Sequence, residues 1–303
     1  MNKKLEKVTI QLKWVNNAQF AGIYVAKEKG YFSEEGIDVQ IIQGGPGFNI
    51  EKRILKGKAD IGITSFDSLL VSRDKGKSLI SIAQIMQGST QGLITKKSSQ
   101  INHPSDMNGK TMGTFGGSNV YQQLAFLKKF KIKDGDEIVL QDSIDDFISE
   151  KVDIGSITVY NQLQEIYIQG IDPRELNVLL YHRYGVGMLE DTVIVREDWL
   201  KKNRDLAKGV KKAIIRGWED AILKPNIAID IVMEHVDSAT TTREMQKHIL
   251  RVISPNIVPQ GFPIQNIGMF VQPQMQNTAN ILYEHNIISK PANVRDATDL
   301  LLD

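Results

Sequence analysis

Residues 58–70, KADIGITSFDSLL, and residues 151–163, KVDIGSITVYNQL, share one outline. Each runs from a helix end into Asp-Ile-Gly, which sits in an apolar run. A small polar residue, an aromatic (Phe66 or Tyr160) and an amphipathic stretch follow. Upstream, GYFSEEGIDVQII (30–42) and KKFKIKDGDEIVL (128–140) correspond more loosely. An echo at a spacing of about ninety residues reads as two similar α/β lobes. Any two strand–helix units share such an outline. A chain of 303 residues, however, also calls for two cores rather than one.

The elements around the echo alternate. VTIQL (8–12) is a strand, 18–29 a helix closed by Gly30, and IDVQII (37–42) a strand. GGPG (44–47) is a turn, and 48–57 a helix stopped by Gly57. ADIGIT (59–64) is a strand, and Ser65 stands where a helix N-cap belongs. SLISIAQIM and QGLITKK add two strands. The pattern restarts with TMGTF (111–115), a helix from about Ser118 to Lys131, DEIVL (136–140), DSIDDFISEK as a helix, VDIGSIT (152–158), and a helix ending at Gly170. Such alternation implies an α/β fold with largely parallel sheets. After LEDTVIVRED (189–198) the chain turns helical. Leu206, Val210, Ala213, Ile214, Trp218 and Ile222 keep helical spacing, Pro225 opens a further helix, and 265–286 forms another. These helices read as cover for a sheet, not as a third domain.

Composition narrows the function. A net charge of +1, from 37 basic and 36 acidic residues, gives no drive toward nucleic acid or an anionic membrane. No run of apolar residues is long enough to span a bilayer. Cysteine is absent, which excludes disulfides, thiolate metal sites and a cysteine nucleophile. The start, MNKKLEKVTI, has basic residues but no apolar stretch after them. It fits either a cytoplasmic protein or one whose leader is not part of this sequence.

No phosphate-binding loop, nucleophile elbow or zinc-type histidine motif occurs. The five histidines are scattered, so neither a metal nor a cofactor is expected. What stands out lies at strand ends, where parallel α/β sheets bind ligands. After the first strand come Trp14, Asn16, Asn17, Gln19 and Phe20. After the second come Gly44, Gly45 and Gly47, and after the third Ser65 and Phe66. The second half offers Phe115, Gly116, Gly117, Ser118 and Asn119, then Tyr160 and Asn161, then Tyr184 and Glu190. Aromatic faces, amides, hydroxyls and bare backbone suit a flat heteroaromatic ring. The glycine turn at 113–118 opens a helix and favours an oxygen or partial negative charge. No cluster of Arg or Lys stands at these points, which argues against a diphosphate.

KWVxxAQFAGIYVAKEKGYFxEEGIDV (13–39) resembles the opening of the NMT1/THI5-like group of solute-binding proteins. ADIGITSFDSLL, GTFGGSNVYQ, VYNQ, YGVGMLEDT and MQNTANILYEHNIISKP (275–291) resemble family landmarks in the family's order. The resemblance covers nearly the whole chain. It implies a two-lobed type II periplasmic binding-protein fold, each lobe a mostly parallel sheet flanked by helices. Two crossovers are then expected near 93–97 and 187–191, giving one lobe from 1–93 plus 191–303 and the other from 94–190. It also implies an extracytoplasmic monomer that binds a small molecule between its lobes and passes it to an ABC permease and its ATPase. Family members in this role carry a signal peptide, often of lipoprotein type. The cargo of relatives includes pyrimidine thiamine precursors, riboflavin and, more distantly, nitrate or alkylsulfonates. The pyrimidine is favoured here.

On this reading Trp14 and Tyr184 would wall the ring. Asn16, Gln19, Ser65, Ser118 and Asn161 would bond its edge, and Glu190 would accept from an exocyclic amine. Glu190 also fits a hinge role beside a crossing. The family includes THI5-like enzymes that build the thiamine pyrimidine from bound pyridoxal phosphate and a histidine. Those resemble a Cys-rich stretch that this chain lacks, and Thr64, Ser65 and Phe66 follow the third strand with no His. A binding protein and not an enzyme is therefore expected. Relatives usually have Pro after Trp-Val, where this chain has Asn16. Asn can bond a ligand or its own turn, and Asn17 can cap the helix that follows.

Overall fold

The computed structural model describes residues 4–133, 138–141, 143–300 and 302. Among these residues ten strands form two five-stranded sheets. The first sheet holds β1 (Glu6–Gln11), β2 (Ile37–Ile42), β3 (Ile61–Ser65), β4 (Leu79–Gln84) and, from far along the chain, β10 (Asp191–Arg196). The second holds β5 (Gln91–Lys96), β6 (Met112–Thr114), β7 (Ile138–Leu140), β8 (Ile154–Thr158) and β9 (Leu176–Leu180). Their orders are β2-β1-β3-β10-β4 and β7-β6-β8-β5-β9. The chain therefore passes between sheets twice, from Gln84 to Gln91 and from Leu180 to Asp191. Residues 93–97, where the first passage was expected, lie largely inside β5. Asp136 and Glu137 of the expected strand at 136–140 are outside the described residues.

Each sheet is mostly parallel, as expected, with one reversed strand that makes it mixed. β1 pairs in parallel with β2 and β3, while β10 is antiparallel to both β3 and β4. In the second sheet β6 is parallel to β7 and β8, and β5 is antiparallel to β8 and β9. The crossings dictate this. β1, β3 and β4 end at the passage between lobes, whereas β5 and β10 begin there, so each runs against its neighbours.

The helices are α1 (Ala21–Glu28), α2 (Tyr31–Glu34), α3 (Ile50–Leu55), α4 (Phe66–Asp74), α5 (Tyr121–Lys129), α6 (Asp145–Ile148), α7 (Gln162–Ile168), α8 (Glu197–Lys202), α9 (Arg204–Leu223), α10 (Pro225–Met233), α11 (Arg243–Ile257) and α12 (Gln272–Glu284). As expected from the sequence, the C-terminal helices cover the first lobe. α9 crosses α1 closely enough that a Cβ on Gly217 would lie 1.9 Å from the Gly22 carbonyl oxygen, so only glycine fits. Val210, Ala213, Ile214 and Trp218 of α9 are all buried there. α12 begins at Gln272, later than its spacing suggested, because a 3-10 turn (Ile264–Asn266) and Gly268, at φ 86°, interrupt the run. Among the described residues no helix is long and apolar enough to cross a membrane.

Candidate functional site in the cleft between the lobes

The loop after β1 carries the first wall. Asn17 caps a 3-10 turn (Ala18–Phe20), its side chain accepting from the Gln19 N–H at 2.8 Å. Trp14 stands before this turn and meets Phe115 of the second lobe edge-on, with centroids 5.3 Å apart at 84°. Nearby, the Gly47 N–H donates to the Phe115 carbonyl at 3.0 Å. Gly117, at φ 57°, lies so close to the Phe48 carbonyl that a Cβ would approach to 2.6 Å. The glycine turn expected to favour an oxygen or partial negative charge thus closes one lobe on the other.

Two chambers with shared walls remain between the lobes. The inner one has a volume of about 20 Å³ and is lined by Lys13, Trp14, Gln19, Gln91, Phe115, Asn119, Tyr160, Asn161, Gln162 and the end of β8. The outer one has a volume of about 590 Å³. Trp14, Phe115, Asn161 and Gln162 line both. Asn16, Gln43, Glu165, Asp237, Met245 and the run Thr240, Thr241, Thr242 complete the outer wall.

Behind Lys13 and Gln19 lies a buried charged cluster. Lys13 pairs with Asp191 at 2.6 Å, both side chains being almost fully buried. Burial alone would lower the Lys13 pKa, but Asp191 and Glu190 raise it overall, so the ammonium form is held. Gln19 Nε2 donates to both Asp191 oxygens, at 3.1 and 3.0 Å. Asp67, fully buried, is pushed up to about 7 by desolvation, against the opposing effect of its bonds from Ser65 and the Ser68 N–H. Its Oδ2 has no hydrogen-bond partner. Burial also raises Glu190 and holds the Tyr160 phenol well above its ordinary range. One ammonium therefore faces three buried carboxyl groups.

Trp14, Asn16, Gln19, Tyr160 and Asn161 thus stand on chamber walls, though Gln19 spends its amide on Asp191 and Asn16 is tied internally. Asn16 Nδ2 donates to the His235 carbonyl at 2.9 Å, and its Oδ1 accepts from the Tyr24 hydroxyl at 2.8 Å. Glu190 does not point an acceptor into the cleft, because both its oxygens accept from Thr90, at 2.6 and 2.8 Å. Tyr184 is no ring wall. It packs edge-on against Phe126 of α5 and Phe130 just past its end. Phe20 and Phe66 are core residues, and the Ser65 hydroxyl donates to Asp67. Gly45, Gly116 and Gly117 belong to the turns where the lobes meet, not to the chamber linings. The Ser118 side chain lies outside the described residues.

Lys13, Gln91, Gln162, Asp191 and the threonine run were not singled out from the sequence. Lys13 and Asp191 are charged residues at a strand's end and start, a detectable signal. The threonines offered only a polar run between helices. Among the described residues no cluster of His, Asp or Glu is arranged for a metal.

A two-lobed α/β shell with its chambers at the strand ends is the type II periplasmic binding-protein fold. The chain matches the NMT1/THI5-like family over residues 17–228 and belongs to it. It is 24% identical to the riboflavin-binding protein RibY of Chloroflexus aurantiacus, over 97% of this chain and 85% of that one. It is 21% identical to the formylaminopyrimidine-binding protein of Halalkalibacterium halodurans, over 100% and 92%. It is also 25% identical to the 4-amino-5-hydroxymethyl-2-methylpyrimidine phosphate synthase THI11 of Saccharomyces cerevisiae, over 75% and 74%. Among solved structures, the alkanesulfonate-binding protein SsuA of Xanthomonas axonopodis pv. citri shares the fold. Its TM-score is 0.72 at 13% identity, covering 97% of this chain and 98% of that one.

Proposed function

We propose that the protein is the extracytoplasmic solute-binding component of an ABC importer, carrying a small flat nitrogen heterocycle between its lobes to a permease and its ATPase. A monomer, held near the membrane by a lipid anchor or by the permease alone, suits that role. The observation that carries the ligand class is the Trp14-walled chamber beside Lys13, whose ammonium is paired with the buried Asp191. With that ammonium spent on Asp191, the wall offers little positive charge to nitrate, sulfonate or phosphate and suits a neutral ring. Pyrimidine thiamine precursors and flavins both meet that requirement, and relatives are named for each.

The enzymatic reading has less support. A Schiff base needs a neutral amine. The one lysine on the inner chamber is held as an ammonium by Asp191. Thermal-shift screening over pyrimidines, riboflavin, nitrate, alkanesulfonates and pyridoxal phosphate tests the proposal. A ligand at 100 times its Kd should stabilise by about 2.7 kcal/mol, and Trp14→Ala should weaken binding tenfold or more. Stabilisation by nitrate or a sulfonate alone would refute the heterocycle. Release of a pyrimidine from pyridoxal phosphate in the presence of iron would restore the enzyme.

A further inference from the structure

The inner chamber, at about 20 Å³, has room for little more than a water-sized group. A cavity of roughly 10–15 Å³ by this measure takes one water, so this one takes a single polar group. Its walls say which kind. Gln91, at the start of β5, is 3% exposed, lines the chamber, and has an Nε2 with no hydrogen-bond partner. Gln162, the first residue of α7, lines it too. Its Oε1 accepts from both the N–H and the hydroxyl of Thr158, at 3.0 and 2.7 Å. A backbone N–H can only donate, so the oxygen end of the Gln162 amide is fixed toward β8 and its NH₂ is the end left over.

We propose that the inner chamber takes a carbonyl oxygen of the ligand, held by the amide NH₂ groups of Gln91 and Gln162, while the ring lies in the outer chamber against Trp14. This rests on the ligand-binding reading above and narrows it. A carbonyl oxygen projects beyond a ring and has two lone pairs, so it reaches the chamber and accepts from both amides. A ring nitrogen has one lone pair and does not project, and a projecting hydroxyl brings its own O–H donor to a place where both amides already donate. The fitting class is a flat heterocycle bearing a lactam, dione or formamide carbonyl, not a plain aminopyrimidine.

Three probes separate the cases in calorimetric titrations: riboflavin and formylaminopyrimidine, which carry carbonyls, and 4-amino-5-hydroxymethyl-2-methylpyrimidine, which does not. The better carbonyl probe should bind at least tenfold more tightly than the hydroxymethyl compound. Gln91→Leu should remove most of that margin and leave the hydroxymethyl compound within twofold of its starting affinity. Gln91→Asn, which keeps the amide but withdraws it by one methylene, should act in the same direction and guards against a folding defect in the leucine variant. Equal binding of all three probes, or an equal loss for all three in both variants, overturns the carbonyl assignment while the binding function stands. If no probe binds at all, both readings fall.

Discussion

Glu190 holds Thr90 with both carboxylate oxygens, one on the backbone N–H at 2.6 Å and one on the hydroxyl at 2.8 Å. The two residues lie on the two segments that cross between the lobes, so the carboxylate fastens one crossing to the other. Gln84 strengthens the joint, its Nε2 donating to the Glu190 and Met86 carbonyls, each at 2.8 Å. Hinge motion in such folds turns on a few residues at element ends, and here those residues are bonded to each other.

Glu190→Ala should therefore act on stability and lobe geometry before ligand chemistry. It leaves the buried Thr90 N–H without an acceptor, which costs about 1–3 kcal/mol. Denaturant unfolding should register that loss, and small-angle scattering should show a less uniform lobe separation. Glu190→Gln keeps one acceptor and should lose less. Unchanged stability with abolished binding would instead make Glu190 a ligand contact.

Asn16 stands where the family resemblance would put proline, and its amide is bonded at both ends. Its amide joins the Trp14 loop to the segment just after α10 through the His235 carbonyl and to α1 through the Tyr24 hydroxyl. Tyr24 in turn stacks on the His235 ring at 4.5 Å. Asn16→Ala removes two hydrogen bonds of roughly 1 kcal/mol each. It should lower stability by about 1–2 kcal/mol and leave the ranking of ligands unchanged. A change in that ranking, measured across the same panel, would give Asn16 a direct ligand contact.

The strands and helices around the DIG repeats were legible because their apolar periods are local properties of the chain. β9 was missed because LNVLL is five residues long and follows Asp-Pro, with nothing to separate it from a loop. The antiparallel placement of β5 and β10 was also missed, since pairing is a tertiary property with no local trace. At the site, Trp14 and Asn161 were legible as an aromatic and an amide at strand ends. Tyr184 was misread because an aromatic after a strand looks the same whether it faces a cleft or packs on α5. Lys13 and Asp191 lie 178 positions apart, and only the fold joins them.

That pair supports a sharper test of the buried charged cluster. Lys13→Met leaves Asp191, Glu190 and Asp67 buried without their cation. Breaking a buried pair from one side costs about 3–5 kcal/mol, whereas replacing both members by apolar groups is often tolerated. Lys13→Met should thus be severely destabilised in urea unfolding, and Lys13→Met/Asp191→Leu should recover part of the loss. The recovery will be incomplete because Gln19 then lacks its acceptor. A double variant as unstable as the sum of the two single variants would mean that the pair does not act as a unit.

Asp67 predicts how stability follows pH. Its carboxyl is pushed up to about 7 in the folded protein, chiefly by burial, against an ordinary value of 3.8. The folded state therefore holds this proton more tightly than the unfolded chain does. The contribution is fully present below about pH 4 and is lost as pH rises through 7, with a slope of at most about 1.4 kcal/mol per pH unit. Asp67→Asn stays neutral and keeps an oxygen for Ser65 and Ser68, so it should lack this decline. The difference between wild type and Asp67→Asn, measured by urea unfolding at several pH values, isolates the group from Glu190, which burial shifts in the same direction. Parallel stability curves for the two proteins between pH 4 and 8 would show that Asp67 is already ionised in the folded state, its charge held by Lys13.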